Sequence, residues 1–192
     1  MKKQEFQALF RESKGRGNKG AVIYGYQQLI NDIASRQDYP GWFNQISLNM
    51  MICGLRNAGF KFNRHNAKTF DIIWDILSDW LPDYGAQEIS NSLLALDQMG
   101  LRWWNFGGDL QTKLMDSVRR NVESFNAQNI ANSLLALDQM GLRWSNFDAD
   151  LQAKLLDSLR GNVVRFNAQD IANSLLALDQ MGLRWSHFDA DL

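Results

Sequence analysis

The residues of this chain whose types and spacing suit chemistry are carboxamides. With Ile89 placed at 0° on a helical wheel, Gln87, Gln98 and Asn91 fall at about 160°, 180° and 200°, on one line opposite the apolar stripe. The trio recurs as Gln128, Asn132 and Gln139, and again as Gln169, Asn173 and Gln180. Leu94, Leu135 and Leu176 flank the three sets on their apolar side. A carboxamide both donates and accepts hydrogen bonds, so stacked trios form a ladder suited to an extended ligand with a repeating polar outline. Two ligands fit: the base edges of single-stranded RNA, or the peptide groups of an extended polypeptide.

Other candidate chemistry is sparse. Gly15–Gly20 reads GRGNKG, a G-x-G-x-x-G match, but no strand precedes it and no βαβ pattern surrounds it, so it reads as a flexible basic linker. Lys14, Arg16 and Lys19 cluster there; residues 1–20 hold six basic and two acidic side chains, or +4, which leaves −5 for the rest of a chain of net charge −1. A polyanion would meet this segment first. His65 and His187 have no partner at nucleophile or metal-ligand spacing, and His187 stands where earlier copies carry Asn105 and Asn146. Asp97, Asp138 and Asp179 recur singly and read as solvated or capping residues. The one cysteine, Cys53, excludes an internal disulfide and a multi-cysteine metal centre. With no nucleophile, base and orienting group to assemble, the chain reads as non-enzymatic, with no cofactor and no metal.

The elements that must position the amides are set by an internal repeat. NSLLALDQMGLRW occurs at 91–103, 132–144 and 173–185, 41 residues apart each time. Tyr84, Phe125 and Phe166 fall in register, as do Asp109, Asp150 and Asp191, giving units 84–124, 125–165 and an incomplete 166–192. Stepping back from Gly100 reaches Gly59, and Leu48, Ile52, Leu55, Phe60 and Phe62 then align with Ile89, Leu93, Leu96, Leu101 and Trp103; residues 43–83 read as a diverged copy.

Each unit predicts two helices. Ile89, Leu93, Leu96 and Gly100 follow a 3.6-residue period. In the last copy Asn167 is the N-cap, with Asp170 three residues on and Phe166 placed to staple onto Ile171. Gly100, Gly141 and Gly182 stand where a left-handed C-terminal cap belongs. The second helix carries Leu151, Leu155, Leu156 and Leu159, is capped by Asn146 or Asp148, and is closed by Gly161. Between the helices, Trp144 and Phe147 are too large to leave in water and fill the gap between helix pairs.

An amphipathic helix pair cannot bury its apolar face alone, and stacking identical pairs does so. The expected fold is therefore all-α: an α-solenoid, or superhelix, of 41-residue helix-turn-helix repeats. Residues 1–42 form its helical N-terminal cap, with helices at 2–12 and 21–36, the linker SKGRGNKG at 13–20 and an Asp-Tyr-Pro-Gly turn at 38–41. The final repeat lacks its second helix, which leaves a face open to self-association. There is no signal-peptide core and no apolar run of about 20 residues, so no membrane span is predicted and the expected location is cytoplasmic.

The block from Ala86 to Leu101, AQEISNSLLALDQMGL, resembles the first helix of octotricopeptide repeats, which are related to pentatricopeptide repeats. The likeness extends over 84–192 and more loosely over 43–83. The unit here is slightly longer than that family's, and Leu94, Leu135 and Leu176 stand where Trp is typical. The resemblance implies a solenoid whose first helices line a concave surface and contact single-stranded RNA through the amides named above. Similar repeats occur in some bacterial effectors, which implies the alternative of a protein-interaction scaffold, delivered into a host cytosol, whose amides grip an extended segment of a partner. Identical copies would all read the same base, so an RNA ligand would be homopolymeric or of low complexity.

Overall fold

A computed structural model describes residues 1–36 and 39–183. Asp38 of the predicted turn, and Trp185, His187 and Asp191 of the last repeat copy, lie outside the described residues. Every regular element among those described is helical: α1 (Lys3–Lys14), α2 (Lys19–Arg36), α3 (Gln45–Asn57), α4 (Ala67–Trp80), α5 (Ala86–Gln98), α6 (Gly108–Asn121), α7 (Ala127–Gln139), α8 (Ala149–Asn162) and α9 (Ala168–Gln180), with short 3₁₀ turns between them. None of these helices is long and apolar enough to cross a membrane.

Local chemistry sets the helix ends. Asn126 and Asn167 accept from the backbone N–H groups of Asn129 and Asp170 at 2.8 and 2.9 Å, and the side chains of those residues accept from the cap N–H in return. At the other end Gly59, Gly100, Gly141 and Gly182 adopt φ of 81°, 89°, 98° and 86°. The reversal is sealed by paired bonds: Gly100 N–H to Asp97 O at 2.7 Å and Leu101 N–H to Leu96 O at 3.2 Å, with Gly141 and Leu142 repeating it. This is a Schellman motif, whose left-handed residue glycine adopts without a Cβ clash.

Two layers follow from the apolar stripes. Helices α3, α5, α7 and α9 stack in succession; α4 packs on α6, and each pair α3/α4, α5/α6 and α7/α8 is in contact, as a solenoid would have it. α1 lies against α3, and α2 against α3 and α4. Ile89, Leu93, Leu96 and their counterparts Ile130, Leu134 and Leu137 are fully buried, each burial worth about 1.5–3 kcal/mol. Trp144 and Phe147 are both buried and meet edge to face at 5.7 Å, filling the gap between helix pairs. Neighbouring units are also tied through the backbone: Phe62, Trp103 and Trp144 N–H donate to Met99, Met140 and Met181 carbonyls at 2.7, 2.9 and 2.9 Å.

Two sequence expectations change, the choice between two caps is settled, and one helix face stays uncovered. The basic linker shrinks to Gly15–Asn18: Ser13 is buried at the end of α1, its hydroxyl donating to Phe10 O, and Lys19 begins α2. Gly161 does not close α8, which runs through it to Asn162, because that side chain anchors the helix end to Phe125 O at 2.9 Å. Asp148, not Asn146, caps α8, accepting from Leu151 N–H at 2.9 Å, while Asn146 accepts from Arg143 N–H within its own loop. Ile171 stays 44% exposed, beside Leu175 and Leu176 at 59% and 48%, because no described helix covers that side of α9 as α9 covers α7.

Candidate functional site

The first-layer helices end side by side, and their C-terminal turns enclose an open cleft of about 840 Å³. It is lined by Arg56 and Asn57 from α3, Asp97 and Gln98 from α5, Gln139 from α7, and the loop residues Lys61, Gly100 and Arg102. The left-handed glycine turn is what brings Lys61 and Arg102 back over the helix ends, where orphan carbonyls and the negative end of the helix dipole attract cations.

The contacts there alternate amide and cation. Arg56 donates from Nη1 to Gln98 Oε1 at 3.2 Å and from Nε to Asn57 Oδ1 at 3.0 Å. Lys61 Nζ donates to the Gln98 carbonyl, and Arg143, in the next loop along, donates to the Gln180 carbonyl at 2.7 Å. Arg102 lies 3.6 Å from the Asp97 carboxylate. The row continues into the N-terminal segment, since Lys19 Nζ donates to both Ser13 O at 2.6 Å and Asn57 O at 2.9 Å. Lys14 sits over the Phe10 ring at 4.4 Å; burial pushes the Cys53 thiol up, and the charges of Arg56 and Lys14 pull it partly back. Arg16 is exposed beyond them.

The carboxylates are not the solvated residues expected. Asp97 and Asp138 are buried, and only Asp179 is exposed. Burial pushes the Asp97 carboxyl up to about 6, against the pull of Arg102 and Lys61; burial likewise raises Asp138.

The amide ladder is brought together in part. Gln87, Gln98, Gln128, Gln139, Gln169 and Gln180 are exposed, and Asn91, Asn132 and Asn173 are half-buried. Gln98 and Gln139 line the cleft with Asn57. Gln87 begins the helix that Gln98 ends, about 16 Å away along the axis, and so lies outside the cleft with its counterparts Gln128 and Gln169. The cations Arg56, Lys61, Arg102 and Arg143 were absent from the sequence reading. The signal was present: Lys61, Arg102 and Arg143 follow the same 41-residue step as the amides. Among the described residues no group of three His, Cys, Asp or Glu side chains is placed to hold a metal ion.

A family model described as a protein of unknown function (DUF1601) matches residues 109–134 and 140–175. The two segments end at equivalent positions, Leu134 and Leu175, and cover α6 and α8 with the first part of the helix after each. No curated protein matches the chain.

Proposed function

We propose that the chain is a non-enzymatic recognition module: an α-solenoid of 41-residue repeats, 43–83, 84–124, 125–165 and 166–192, capped by residues 1–42, that binds single-stranded RNA along its first-layer helices. The observation that carries this reading is the continuity of the cation row. Lys19 meets Asn57, and Arg56, Lys61 and Arg102 follow in a cleft that also holds Gln98 and Gln139. Cations supply the sequence-independent affinity for phosphates, and amides beside them address base edges. The likeness of the 86–101 block to octotricopeptide repeats supports the same ligand. A cytoplasmic site of action belongs to this reading, as does the self-association expected from the sequence.

The test is fluorescence anisotropy with labelled homopolymeric RNAs over a salt series. Binding should weaken steeply as salt rises, and Asn57→Ala, Gln98→Ala and Gln139→Ala together should weaken it by roughly tenfold or more. Absence of binding to every homopolymer at low salt overturns the proposal.

A second reading, a scaffold for an extended protein segment, is favoured by the Asp97 and Asp138 carboxylates, which repel phosphate but tolerate peptide groups. It requires a protein partner that the same three substitutions release.

A further inference from the structure

Trp104 is out of keeping with its repeat. The loops Leu101–Phe106 and Leu142–Phe147 carry the same residues at every position but one, where Trp104 in the first faces Ser145 in the second. Trp104 is 72% exposed, although it is an indole and its loop neighbour Phe106 is buried. The backbone beneath it is pinned. Gln111 Nε2 donates to Trp103 O and Phe106 O, both at 2.9 Å, and Asn105 Oδ1 accepts from Arg102 N–H at 2.7 Å, so the backbone is held on both sides of the indole. The ring edge lies against the next unit's cap: a Cβ at Gly141 would come 3.4 Å from Trp104 Cζ3.

The indole forms one wall of a pocket of about 410 Å³, with Trp103, Met115 and Leu142 as apolar lining and Gln111 and Asn146 as its amides. The Asn146 oxygen accepts from Arg143 N–H at 2.6 Å, and its NH₂ group makes no hydrogen bond among the described residues. On the other side of the same loop, two residues from the indole, Arg102 lines the cationic cleft.

We infer that Trp104 is a stacking platform for one nucleobase of a single-stranded RNA whose phosphates follow the cleft cations, with the Asn146 NH₂ group as donor to the base edge. The inference rests on the RNA reading. A flat, exposed indole on a pinned loop offers a base a π-face without sequence preference, and a platform in only one repeat fixes the register of a strand that otherwise meets identical copies. The charge of the adjoining cleft favours a base on an anionic backbone over an aromatic side chain of a protein.

The experiment compares a labelled oligouridine with its abasic ribose-phosphate counterpart, at low salt, on the full chain. The wild type should bind the base-containing strand roughly tenfold more tightly than the abasic one. Trp104→Ser installs the residue that the next copy carries, and should cut that preference severalfold, to what the cleft amides contribute, while leaving abasic binding unchanged; Trp104→Phe should retain most of it. Equal binding of the two strands by the wild type, or a preference undiminished in Trp104→Ser, overturns the stacking site and leaves RNA binding standing. If neither strand binds, the RNA reading fails and the platform fails with it.

Discussion

Lys19 Nζ donates to the Asn57 carbonyl at 2.9 Å across 38 residues of sequence, and to Ser13 O at 2.6 Å. One ammonium thereby satisfies the ends of α1 and α3 together. Replacing it by Met keeps the apolar stem and removes both bonds, leaving two carbonyls to find water. Lys19→Met should lower stability by about 2 kcal/mol, read as a lower urea midpoint at unchanged slope.

Two glycines separate backbone strain from steric clash. Gly100 has φ of 89° and nothing within 4 Å of an added Cβ, so Gly100→Ala should cost only the left-handed penalty, about 1–2 kcal/mol. At Gly54 the added Cβ would lie 2.3 Å from Tyr26 Oη and 2.7 Å from its ring carbons, inside a fully buried contact. Gly54→Ala should cost at least about 2 kcal/mol. Tyr26 Oη is buried without a hydrogen-bond partner among the described residues, so Tyr26→Phe should be nearly neutral alone and should recover part of the Gly54→Ala loss. A double-mutant cycle in urea reads the coupling.

Asp97 makes stability depend on pH. Its carboxyl is raised to about 6 in the folded chain by burial, against about 3.9 when unfolded. Below pH ~4 it is protonated in both states and carries no penalty. Between pH ~4 and ~6 the unfolded chain releases the proton first, so stability falls as pH rises, and the penalty is complete above about 6. Asp97→Asn should flatten this window and raise stability at pH 7 by about 1–2 kcal/mol, measured as urea midpoints from pH 4 to 8.

Asn162 is a buried tie from the end of α8 back to the start of its own unit, its Nδ2 donating to Phe125 O and Ser158 O at 2.9 Å each. Asn121 makes the equivalent pair with Tyr84 O and Ser117 O. Asn162→Ala leaves the Phe125 carbonyl buried and unpaired, and should cost about 2 kcal/mol in thermal or chemical unfolding.

The all-α class, the helix-cap asparagines, the left-handed glycines and the aromatic plug at Trp144 and Phe147 were legible in the residue order. Each depends on neighbours within a turn or two, where periodicity and capping chemistry act directly. The helical wheel also placed the glutamines at the surface. It could not say which of them share a cleft, because a wheel fixes direction around one axis and not distance between axes. Gln98 meets Arg56 and Lys61 only because α3 and α5 end side by side and the Gly59 turn folds the loop after α3 back. The same stacking took Asp97 out of water and joined Lys19 to Asn57. The sequence by itself determined the helices and the faces they present. Only tertiary structure decided which polar ends meet, because contacts between residues some 40 positions apart depend on how whole helices stack.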